Sequence, residues 1–160
     1  MEQLSPRRRQ FLRALLSLGI GASVRPLYAA NEPIAVVMGS ASQQRAMSSD
    51  RLRRVFLATP SDDDSGRRFV PINLGQSSHV RERFDRNVLR MTPEEAARYW
   101  IDQRLRGNKP PRSASSIELV RRALQEMPGA ISYLPVSAVG SLRIVAIDGR
   151  TPGDGNYALR

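Results

Sequence analysis

An α/β layer protein is the fold class this sequence predicts, and three observations carry it. Short apolar runs bounded by turn residues recur along the chain, in "EPIAVVMGS", "RRFVPINLG", "AISYLPV" and "LRIVAIDG", as strands do. Between them lie stretches whose apolar residues return every three or four positions, which places them on one helical face. The chain has 160 residues, 41% hydrophobic and 25% charged, which suits one core better than two.

The first element, Ile34–Met38, is an unbroken apolar run ended by glycine and serine, the pattern of a buried strand. A helix follows, capped by Ser48 or Ser49, with Leu52, Val55 and Phe56 on one face, and Thr59-Pro60 stops it. "SDDDSG" reads as a solvated turn. In the next strand, Pro71 marks an edge or an irregularity, because proline cannot donate to a ladder.

Val80, Phe84 and Val88 stand four apart and predict a second helix. "MTPEEAARYWIDQRLRG" predicts a third. Thr92 is its cap, Pro93 its first turn, Glu95 the partner in a capping box and Gly107 its end, with Ala96, Tyr99, Trp100 and Gln103 facing inward. "GNKPPRSASS" reads as a loop. A fourth helix aligns Ile117, Val120 and Leu124 and stops at Pro128-Gly129; two closing strands follow.

The opening "PRRRQFLRALLSLGIGASVRPLYAAN" has a basic head, a short apolar middle and a small-residue exit, the make-up of a cleaved export signal. Its middle is shorter than the ~20 apolar residues a permanent span needs. "RRQFLR" resembles a twin-arginine signal. Residues 1–30 are therefore expected to be a leader, 31–150 the α/β domain and 151–160 an irregular tail, with the product working in the periplasm and no membrane span after cleavage.

Composition excludes several chemistries. The chain has no cysteine, so disulfides, thiolate metal sites and cysteine nucleophiles are ruled out. A single histidine cannot build a histidine metal cluster, and the Asp62-Asp63-Asp64 run lacks the spaced ligands of a calcium loop. No glycine-flanked nucleophile elbow surrounds a serine, and neither an enzyme nor a cofactor is expected. The net charge of +10 falls to +6 once the leader is set aside, since 20 basic and 14 acidic residues remain. That excess is spread over helix faces beside apolar positions, without a nucleic-acid-binding motif, so it favours anions or acidic partners through its field.

"NLGQSSHVRERF" is the segment richest in possible chemistry. A loop of small polar residues opens onto a helix, where free N–H groups, the hydroxyls of Ser77 and Ser78, and His79 can converge on an anion. Arg81, with Arg83 behind it, supplies guanidinium donors suited to an oxyanion. The same pattern also describes ordinary helix capping with solvated arginines.

From Ile34 to Gly149 the order of motifs resembles the periplasmic phosphate-binding protein family, in its short members. "MSSDRLRRVFLA", "RFVPINLGQSSHVRERFDRNVL" and "YWIDQRLRGNKPPRSASSIELVRRALQEMPGAISYLPVSAV" carry the likeness. The resemblance implies a type 2 periplasmic-binding-protein fold, here a single lobe or a truncated two-lobe form. It also implies inorganic phosphate or a similar oxyanion as ligand, with Ser77, Ser78 and Arg81 as candidate contacts. An ABC permease, a partner lobe or a second copy of the chain would be its partners. Two departures stand out: Ser77-Ser78-His79 replaces the family's serine-glycine-threonine run, and Ser132 stands where a second glycine is usual. The alternative is an accessory or interaction domain that keeps the fold without the anion.

Overall fold

The computed structural model describes residues 32–160; the expected leader lies outside them. Five strands form one mixed sheet in the order β4-β3-β5-β1-β6, with β1 Ile34–Met38, β3 Val70–Leu74, β4 Arg112–Ala114, β5 Ala130–Pro135 and β6 Arg143–Ile144. A two-stranded parallel ribbon pairs β2 Ala46–Met47 with β7 Ala146–Ile147. Every residue of β1 and β5 is buried, so these neighbours are covered on both faces, as their continuous apolar runs require. They pair antiparallel, Ile34 opposite Pro135 and Met38 opposite Ile131.

Strand β3 lies inside the sheet, parallel to both β4 and β5. The irregularity expected at Pro71 is nonetheless met. Pro71 pairs only with β5, and the β4 ladder begins one residue later, at Ile72, so the missing N–H falls on a side without a partner. Ser132, in the place of a glycine, is fully buried; its hydroxyl donates to the Ile72 carbonyl at 2.7 Å and ties β5 to β3.

Among the described residues four α-helices complete the fold: α1 Ser49–Phe56, α2 His79–Phe84, α3 Pro93–Leu105 and α4 Ile117–Glu126. Each start is side-chain capped, by Ser48, Ser78, Thr92 and Ser116 respectively, and Thr92 with Glu95 closes the capping box. α4 packs Val120 and Leu124 against β3, β4 and β5. Helix α2 runs on through a π-helical turn, Asp85–Leu89, ended by Arg90 in the left-handed region at φ 56°. An aromatic stack joins these layers: Tyr133 of β5 lies flat on Phe84, centroids 3.7 Å apart, and Phe56 of α1 meets Phe84 edge-on at 4.7 Å.

Three readings of the sequence change. "LRIVAIDG" is two short strands in different sheets, split at the buried Val145, whose N–H donates to the Val36 carbonyl at 2.9 Å. The expected loop "GNKPPRSASS" contains β4, three largely exposed residues with no apolar periodicity to announce them. Asp63 is buried where a solvated turn was expected. Its Oδ1 accepts from the N–H of Ser65, the hydroxyl of Ser65 and the N–H of Arg67, at 2.9, 2.6 and 2.9 Å. Asp64 and Asp62 do face solvent, paired with Arg51 and Arg68. The tail at 151–160 is irregular, yet Tyr157 and Leu159 are buried in the core and the Leu159 carbonyl accepts from the N–H of Ile34 at 2.8 Å.

Candidate functional site

Strand β3 ends at Leu74, and the chain turns through Gly75–Ser78 into α2. The N–H of Ser78 donates to the Gly75 carbonyl at 3.0 Å, and the Ser78 hydroxyl accepts from the N–H of Arg81 at 3.5 Å, a long cap. Among the described residues, no acceptor engages the N–H groups of Ser77, His79 or Val80. Ser77 and His79 are exposed. The His79 side chain is 90% exposed, and its Nδ1 lies 3.8 Å from the Glu82 carboxylate, too far for a hydrogen bond.

Arg81 behaves differently. It points inward and is only 8% exposed. Its Nε donates to Asp85 Oδ2 at 2.6 Å, and its Nη1 to the Leu74 carbonyl at 3.4 Å. Nη2 has no partner among the described residues. Spacing of four on one helix lets the two side chains meet. A guanidinium cannot shed its charge, so burying it demands a counter-ion, and Asp85 supplies one. Burial pushes the Asp85 carboxyl up from its usual range, while the charge and hydrogen bond of Arg81 pull it back without cancelling the rise. Asp85 Oδ1 is buried without a partner among the described residues. Next to the pair, burial also drives the Tyr133 phenol far above its usual range. The Tyr133 hydroxyl donates to Asn73 Oδ1 at 3.3 Å.

Asn73, Gln76, Arg81, Glu82 and Asp85 form the inner wall of a cleft of about 380 Å³. Its opposite limits are α3 and the Pro110-Pro111 segment leading into β4. α3 contributes the face that repeats at Pro93, Ala97, Trp100 or Ile101, and Arg104. The Trp100 indole Nε1 is buried without an acceptor among the described residues.

Of the four residues singled out in the sequence, Arg81 alone lines this cleft. Exposed Ser77 and His79 and half-buried Ser78 form the turn beside it, joined to it through Gln76. Sequence reasoning missed Asn73, Asp85 and Arg104. The Arg81/Asp85 spacing was a usable signal, whereas nothing local sets Asn73 or Arg104 apart. The described residues hold no cluster of three or more histidine or acidic side chains able to bind a metal, and no helix among them is long and apolar enough to cross a membrane.

The chain matches no protein-family model and no curated protein. Its fold is similar to several solved structures. An ABC-type phosphate transport receptor from Vibrio cholerae superposes with a TM-score of 0.60 at 10% identity, over 76% of this chain and 48% of that one. A Clostridium perfringens structure with bound phosphate, named for a phosphate ABC transporter substrate-binding protein, gives 0.60 at 15% identity, over 74% and 46%. PstS from Borrelia burgdorferi gives 0.59 at 13%, over 76% and 49%. At this identity the likeness is one of fold: a mixed α/β architecture shared with those structures. The chain spans about half the length of these structures.

Proposed function

We propose that this chain is a non-enzymatic, periplasmic binding module for phosphate or a similar oxyanion. In this reading it is exported by its twin-arginine-type leader and serves an ABC permease in phosphate uptake or sensing. The observation that carries the reading is Arg81. A buried guanidinium, held by Asp85 with Nη2 uncommitted, borders a cleft one helical turn from the unpaired N–H groups of Ser77 and His79. Such donors suit an oxyanion that accepts several hydrogen bonds at once. The likeness to phosphate receptors supports it, as does the net charge of +6 outside the leader, which raises the local concentration of anions. Ser77, Ser78 and His79 are then the outer contacts and Arg81 the inner one. A single lobe of a type 2 fold leaves the turn open, so a partner lobe or a second copy closes it.

One observation favours a second reading, an interaction domain without an anion. Ile101 and Leu105 of α3 are 58% and 84% exposed and lie on one face. Titration calorimetry of the full chain with phosphate and sulfate separates the two, with its mass in solution measured alongside. Saturable heat that falls in Ser78→Ala is the result expected. Absence of heat with both anions, alongside one well-defined protein partner, selects the second.

A further inference from the structure

From the cleft's size and its two unlike walls, we infer that its ligand is an organic anion, with an oxyanion head on Arg81 and an apolar body lying along α3. This rests on the reading that Arg81 receives an oxyanion, and it names the class.

A cleft of about 380 Å³ is far larger than an inorganic oxyanion fills, and it falls within the ~300–1,000 Å³ typical of sites for small organic molecules. The polarity of its walls is divided. On the inner side stand Arg81 with its open Nη2 and Asn73, whose Oδ1 is already committed to Tyr133, leaving its amide N–H₂ as donor. Toward solvent, Arg104 forms no ion pair with another described residue, whereas Arg106, just past the end of α3, is held by Asp102. Glu82 and Ser113 add polar lining, and the apolar part comes from Ala97 and Ile101 of α3 with Pro110 and Pro111. Ala96 and Ala97 are the small residues of the α3 wall, and Ala97 is the exposed one, where added bulk would enter the space. Free phosphate would use the guanidinium and leave the apolar surface wet. A ring or branched chain attached to the anion would cover it and expel that water.

The test is titration calorimetry of the full chain with phenyl phosphate, benzoate, inorganic phosphate and benzyl alcohol. Phenyl phosphate or benzoate is expected to bind about tenfold or more tightly than phosphate, and which of them does so identifies the head group. Ala97→Phe, checked for an unchanged melting temperature, is expected to abolish the gap between aromatic and inorganic anion by filling the cleft. Arg104→Gln is expected to weaken the aromatic anion severalfold. Equal affinity for phenyl phosphate and phosphate, or a gap that survives Ala97→Phe, overturns the inference and leaves the anion reading standing. Benzyl alcohol binding as tightly as phenyl phosphate overturns it too, because the head group would then be idle. No heat with any anion overturns both.

Discussion

The turn Gly75–His79 and the wall behind it, built from Arg81, Asp85 and Tyr133, are neighbours in sequence and opposites in physical character. The turn is largely exposed, held by one backbone bond and one long serine cap. The wall is buried, stacked and ion-paired. Charge in the turn is screened by water, whereas charge in the wall acts through a low dielectric. In the proposed reading, serines at the helix start mark where an anion would approach, and the electrostatic grip would lie one turn further on, inside.

This contrast can be broken at the wall. Asp85→Ala leaves the Arg81 guanidinium buried without its counter-ion and is expected to cost about 3–5 kcal/mol, read from denaturant unfolding. The paired replacement Arg81→Met with Asp85→Leu removes both charges at similar volume and is expected to stay within about 1–2 kcal/mol of the parent. A double variant as unstable as Asp85→Ala would show that the wall depends on something other than charge matching.

A second buried carboxylate sharpens the comparison. Burial alone would raise the Asp63 pKa, but the Ser65 hydroxyl, the N–H groups of Arg67 and Ser65, and the charge of Arg67 bring it below the usual range. A carboxyl with a lowered folded pKa contributes stability that is complete above its unfolded value, about 3.9, and is lost as pH falls through the folded one. Asp63→Ala is expected to cost about 1–3 kcal/mol at neutral pH through its lost hydrogen bonds. Its melting temperature should also converge on that of the parent as the solution is acidified below about pH 4. A constant offset across that range contradicts the assignment. At the turn, Ser78→Ala loses a cap worth about 1 kcal/mol or less, given its 3.5 Å length. Ser77→Ala and His79→Ala are expected to stay within about 0.5 kcal/mol, as exposed positions do.

Much of the fold was legible because its pattern is local. The unbroken run Ile34–Met38, the Thr92–Glu95 box and the spacing of Val120 and Leu124 each signal their element without help from the rest of the chain. Strand β4 was not legible, since Arg112–Ala114 becomes a strand only by lying beside β3. Asp63 was misread for the same reason: burial there comes from the fold around the loop, and an aspartate triplet carries no sign of which member turns inward. In the site, the serine turn was visible as a motif. The cleft was not, because Asn73, Arg81 and Arg104 come from a strand and two helices that meet only in the folded chain.

The central claim is that the buried Arg81 guanidinium, more than the serine turn, receives the anion. Calorimetric titration of phosphate into the parent chain and the Arg81→Met, Asp85→Leu double variant tests it most directly, with matched melting curves confirming that both are folded. The account predicts saturable binding by the parent and none by the double variant. Equal binding by the two folded proteins would contradict it.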